Sequence, residues 1–233
     1  MARATKHPAP KVVRDEEGLA RLRARGVTRA LTLWPEWGVA FTLLDKRVEN
    51  RPMPPFRNMI GQRIAFHMGK HVGGRASAYD DGLRAVLLGA ATGGLSHGGE
   101  DPVETIRRTG FKLEQEWRYP TDRPDLAPDN RGADQALRAY VQQTGSTEYG
   151  RLYKLTPQGG PTTIIRVPQD IVTSAITFTA VIGGFHPPTP DPKIPWQVGT
   201  PRGEEPSYAW ILEDLEVLDT PVTCPGMQGV WTL

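Results

Sequence analysis

The chain reads as an α+β protein: a mostly β core interrupted by a mostly helical insertion. Three observations predict this. Strand-like composition appears early, at Ala30–Leu33 and Gly61–Met68, and returns late, at Ser174–Ile182 and Tyr208–Val217. Between those regions the texture changes, with apolar helical stretches at Asp81–Ala91, Pro102–Thr109 and Ala133–Gln143. The glycine pair Gly73-Gly74 marks the change. The expected organisation is an N-terminal extension over 1–26, a core split into 27–72 and 160–233, and a helical insertion over 73–159.

Taken in order, residues 1–14 read as a loose tail, and Glu16–Arg25 as a short amphipathic helix with Leu19 and Leu22 on one side. Ala30–Leu33 is a strand, and Pro35 suits the first turn of the helix after it, where a missing N–H costs nothing. That helix is apolar almost throughout and should be mostly buried. Pro52, Pro54 and Pro55 end any helical run and impose an extended loop. In Gly61–Met68, Ile64 and Phe66 fall on one face and Arg63, Ala65 and His67 on the other. Arg118–Arg131, rich in proline and aspartate, reads as loop. Strand character resumes at Thr162–Val167 and is strongest at Ser174–Ile182, and a proline-rich loop spans Phe185–Pro206. The chain closes with Tyr208–Val217, a turn through Pro221 and Pro225-Gly226, and a last strand over Gly229–Leu233.

Composition narrows the function classes. Of 233 residues, 38% are apolar and 23% charged, as expected of a soluble globular protein. The net charge of +2 is too mild to demand a nucleic-acid partner. Arg57, Arg63, Lys70, His71 and Arg75 cluster in sequence, which reads as the solvated face of a strand. Cys224 is the single cysteine, so no internal disulfide can form and a reducing cytoplasm fits. The first 26 residues lack the apolar core of a signal peptide, and no apolar run approaches the ~20 residues needed to span a bilayer. A cytoplasmic protein without membrane contact is expected; its oligomeric state is left open.

The densest chemical signal is Lys46-Arg-Val-Glu-Asn-Arg51, in which Lys46, Glu49 and Arg51 follow an apolar helix and precede the proline loop. That helix should deliver these charges to an interior edge rather than to open water. A lysine and a carboxylate held beside buried aromatics suit hydrogen bonding, polarisation or hydrolysis of a small polar ligand. A plain salt bridge closing the helix is the alternative.

Three ordered segments carry a family pattern: Leu33-Trp-Pro-Glu-Trp37, Asp45-Lys-Arg-Val-Glu-Asn-Arg51 and Ile60-Gly-Gln-Arg-Ile-Ala-Phe-His67. They resemble the front half of an ASCH domain. Tyr208-Ala-Trp-Ile-Leu-Glu-Asp214, Pro221-Val222 and Gly226-Met-Gln-Gly-Val-Trp231 look like that family's closing strands. The resemblance covers about half the chain and implies a PUA-like fold, a curved β-barrel with helices at its rim. It also implies RNA or modified-nucleotide recognition. One bacterial branch consists of small amidohydrolases that remove the acyl group from N4-acetylcytidine, and its catalytic lysine maps onto Lys46. The branch has a threonine three residues on, where this chain has Glu49, so that nucleophile does not carry over. Its further catalytic glutamate has no motif to fix it here; Glu204 and Glu205 fall in the neighbourhood.

Two functions follow from these residues. In the first, Glu49 is the general base acting on water and Lys46 stabilises the oxyanion or shuttles the proton, while Arg51 holds Glu49. Trp34, Trp37, Arg51, His67, Tyr208 and Trp210 are the candidate substrate-binding residues. In the second, an RNA or modified-nucleotide reader without catalysis, the tryptophans (Trp196 among them) stack bases and Lys46 or Lys70 meets a phosphate. No cofactor and no metal is expected. His67-x-x-x-His71 has zinc-like spacing, but the strand reading takes the pair off a common helical face. Gly93–Gly99 lacks the lysine of a phosphate loop, and Ser96-His97 has no nucleophile elbow around it. Cys224 reads as a packed thiol.

Overall fold

The computed structural model describes residues 12–70, 86, 112–120, 149–156, 161–167, 170–188, 194, 196–197 and 207–233. Helix α1 (Glu16–Ala24) leads into strand β1 (Arg29–Leu33), helix α2 (Pro35–Leu43), strand β2 (Val48–Arg51) and, after a single 3-10 turn, strand β3 (Arg63–Met68). Strands β4 (Lys112–Pro120), β5 (Tyr149–Thr156) and β6 (Thr163–Val167) follow. Strands β7 (Ala175–His186), β8 (Tyr208–Thr223) and β9 (Val230–Thr232) complete the chain.

Six strands form a curled mixed sheet in the order β2-β8-β7-β3-β1-β9, a half-barrel accompanied by two helices. β1 and β3 run parallel, and the other pairings of this sheet are antiparallel. A parallel pair needs a crossover, and α2 lies in the stretch that provides it. The curl has a visible cause in β7 and β8, whose register shifts three times along their length. Each extra residue bends its strand and strengthens the local twist. At the largest shift Leu218–Pro221 lie opposite the single residue Thr177. Pro221 is therefore tolerated inside a strand: it sits in a bulge, where no ladder hydrogen bond is lost. The turn expected there does not form, and β8 continues to Thr223.

Both faces of the sheet are covered. Leu31, Leu33, Ile64, Phe66, Met68 and Phe178 form the core on the inner face, where Phe41 of α2 joins them. Phe66 and Phe178 stack with centroids 4.5 Å apart, and Phe41 lies 5.1 Å from Phe178. On the opposite face Leu19 and Leu22 of α1 meet Ala30, Ala65, Ile176 and Val222. The Asp15 side chain caps α1 by accepting from the Gly18 N–H at 2.9 Å. Ile64 and Phe66 thus part from Ala65 as the two-residue period requires.

The 73–159 segment differs from expectation where it is described. β4 and β5 are strands, and Arg118–Pro120 belong to β4 rather than to a loop. β6, assigned by sequence to the split core, pairs with β5, so β4-β5-β6 make a separate antiparallel sheet. Its charged composition hid a period of two, in which Tyr153 and Leu155 turn inward to pack with Ile165, Val167 and Val39 of α2. Val86 is helical and buried; the helices expected over 102–109 and 133–143, and the rest of 81–91, lie outside the described residues. α2 is consequently shared among three clusters through Val39, Ala40 and Phe41, which is why it is apolar around its circumference.

Candidate functional site

α2 ends at Leu43, and the chain turns back through Asp45 at φ 56°. This left-handed residue is one an aspartate can occupy, its short polar side chain bonding locally, here to Arg47 at 2.5 Å. The turn is fixed by the Lys46 N–H, which donates to the Ala40 carbonyl at 2.9 Å, and by the Leu212 N–H on the Arg47 carbonyl at 2.9 Å. It drives the Lys46 side chain inward, leaving it 1% exposed. Its ammonium donates to the Val48 carbonyl and lies 4.2 Å from the ring centroid of Phe41 and 5.4 Å from that of Trp37. Aromatic faces attract a cation, so the helix supplies part of what water would have given.

Glu49 completes the group. Its side chain is 10% exposed, with Oε2 at 3.8 Å from Lys46 Nζ and Oε1 at 2.9 Å from Arg51 Nε. The Arg51 Nε–H is not aimed at that oxygen, so the contact is Coulombic rather than a directed hydrogen bond. Arg51 is tied at its other end, where an η-nitrogen donates to the Thr32 carbonyl at 3.1 Å. Burial pulls the Lys46 pKa from 10.5 down to about 8; Glu49 opposes the shift and Arg51 adds to it. A desolvated charged triad is expensive, and apolar side chains of similar volume commonly serve stability as well or better.

The sheet then brings the aromatic candidates alongside. β2 pairs with β8 so that Glu49 lies opposite Trp210 and Arg51 opposite Tyr208. Directly paired residues share a face, so these four side chains and Lys46 meet on the inner side. Trp210 is core: it is buried among Phe66 and Phe178, and its indole N–H donates to the Met53 carbonyl at 2.8 Å. Tyr208 is partly buried against the same cluster. Trp37 lies beside Lys46, whereas Trp34, at the N-cap of α2, is 63% exposed. Trp196 is core, packed with Ala40, Val48 and Ala209 on the far side of β2.

His67 does not belong to this group. It alternates with Phe66 along β3 and faces the other side of the sheet, beside Thr32, Trp231 and Cys224. Its Nε2 is 3.0 Å from the Cys224 carbonyl, which can only accept, so Nε2 carries the proton. The Thr32 hydroxyl lies 3.5 Å from Nδ1 and accepts from the Trp231 indole at 3.0 Å. Burial lowers the His67 pKa, partly offset by the Cys224 carbonyl. A Cβ at Gly226 would collide with the ring. His67 is a satisfied core histidine, and the structure does not bring it together with Lys46, Glu49 and Arg51. Cys224 is buried, as expected of a packed thiol, and burial raises its pKa.

Phe41 was missed by sequence reasoning, although the signal was present: it follows Trp37 by four residues on one helix face. Glu36, a buried carboxylate in the first turn of α2, was also passed over. Glu204, Glu205 and His71 lie outside the described residues. Among the described residues, no group of three His, Cys, Asp or Glu side chains is placed to hold a metal ion, and no helix is long and apolar enough to cross a membrane. No protein-family model, curated protein or solved structure matches the chain.

Proposed function

We propose that the protein is an amidohydrolase that removes the acyl group from an N4-acylated cytosine nucleoside. One observation carries the reading: a fully buried lysine, its pKa drawn down to about 8, is held 3.8 Å from a nearly buried carboxylate. A desolvated lysine held beside a carboxylate is the kind of pairing that proton-transfer chemistry uses. The resemblance of the Lys46–Arg51 motif to the ASCH family's amidohydrolase branch supplies the substrate class.

The reading gives each residue a role. Glu49 takes a proton from water as the oxygen adds to the acyl carbonyl carbon. The Lys46 ammonium, protonated at neutral pH, meets the oxyanion that forms. Glu49 then returns its proton to the departing N4 amine as the C–N bond breaks, giving a free carboxylic acid and cytidine. Arg51 positions Glu49 through its contact with Oε1 and anchors the arrangement to β1 through Thr32.

The test is incubation with N4-acetylcytidine while cytidine formation is followed, for the parent protein and for Lys46→Ala. Release by the parent and its loss in the variant are expected; full turnover by Lys46→Ala would place the chemistry elsewhere. The second reading, an RNA or modified-nucleotide binding module without catalysis, is favoured by Trp34, a tryptophan left 63% exposed at the start of α2. Oligonucleotide binding that weakens steeply with salt would favour it, because phosphate contacts release counterions and a nucleoside site does not.

A further inference from the structure

The inner face of the sheet continues past Trp210. β8 pairs with β7 so that Phe185 lies opposite Trp210, and Trp210 in turn lies opposite Glu49 on β2. Glu49, Trp210 and Phe185 therefore form one cross-strand row on one face. Arg51 and Tyr208 form the next row. The diagonal between the rows is closed by an edge-to-face contact of Phe185 with Tyr208, centroids 5.8 Å apart at 61°.

Within this patch the aromatic residues differ in exposure. Trp210 is core, while Phe185 keeps 41% of its surface open despite lying two strands from a buried carboxylate. Adjacent strands are about 4.8 Å apart, so Phe185 stands roughly 10 Å from the β2 backbone at Glu49. Trp210 stands between them in the row, so Phe185 is its open outer end. Arg51, a quarter exposed, stands beside Tyr208 and supplies the donor that a ring carbonyl needs.

We infer that Phe185, braced by Tyr208, is the stacking surface for the pyrimidine ring of the substrate, with the ring's polar edge toward Arg51. The identity of the ring rests on the hydrolase reading; the surface itself rests on strand register. Stacking is insensitive to which base is bound, so specificity for cytosine falls to Arg51 and Glu49 while Phe185 sets affinity.

Calorimetric titration with cytidine, the product, tests the surface independently of turnover. Phe185→Ala should weaken cytidine binding roughly tenfold, within the range of single base–aromatic stacks. Phe185→Leu, which keeps apolar packing against Tyr208 but has no ring, should weaken it similarly, whereas Phe185→Trp should hold the parent affinity. The same losses should appear in KM for N4-acetylcytidine with kcat nearly unchanged. Parent-like cytidine binding by both Phe185→Ala and Phe185→Leu, or no binding of millimolar cytidine by the parent, would overturn the inference. Ring-dependent binding without any hydrolysis would leave this surface standing and remove the hydrolase reading.

Discussion

Lys46 provides a test that needs no substrate. In the unfolded chain its pKa is 10.5, and burial in the fold lowers it to about 8. Below pH 8 the amine is protonated in both states, and the fold carries the full cost of a buried charge. Between pH 8 and 10.5 the folded form releases a proton that the unfolded form retains, so stability from this group rises with pH across that window. At 1.36 kcal/mol per pH unit the complete gain is roughly 3 kcal/mol. Lys46→Met removes the titration while preserving most of the side chain's volume against Phe41 and Trp37. Urea unfolding of both proteins at pH 7, 8, 9 and 10 isolates the effect, because other titrating groups cancel in the difference. The stability of the parent relative to Lys46→Met should climb by about 1.4 kcal/mol per pH unit above pH 8. A difference that stays flat from pH 7 to 10 would show that the amine is solvated, and the argument for a desolvated lysine at the site would go with it.

Glu49→Gln keeps the shape of the group but cannot accept a proton, so turnover of N4-acetylcytidine should fall by ~10²–10⁴-fold. Parent-like turnover in that variant would exclude Glu49 as the base. His67 has the same sign of pH dependence as Lys46, in a lower window. Burial holds its folded pKa below the ordinary 6.5, so the stability it confers is complete above pH 6.5 and is lost as pH falls toward the folded pKa. Chemical denaturation between pH 7.5 and 5 should therefore show the parent losing stability faster than His67→Gln, and parallel loss would mean that the ring is not excluded from water.

The parts of the fold legible in the sequence were those with one dominant local cause. Pro35 begins α2 because its absent N–H is not needed there, and Ile64 and Phe66 part from Ala65 because β3 has a period of two. What could not be read depended on partners distant in sequence. Nothing local to Thr163–Val167 says that it pairs with β5 rather than with the curled sheet. Nothing local to Pro221 says that β7 offers it a bulge opposite Thr177, and without that bulge a turn is the better reading. β4 was hidden for another reason: five of its nine residues, Lys112, Glu114, Gln115, Glu116 and Arg118, are polar or charged, so alternation was masked by composition.

The same distinction applies to the site. Lys46, Glu49 and Arg51 could be grouped from sequence because all three are delivered by one turn and one strand, within six consecutive residues. Whether they would be buried together depended on Phe41, Trp37 and the β8 register, of which only the helix was visible. His67 illustrates the converse. It lies within a segment that carries the family resemblance, yet one step along β3 separates it from Phe66 and puts the whole thickness of the sheet between it and Lys46. Proximity in a motif is a statement about the chain, and strand parity decides which side chains can act on one ligand.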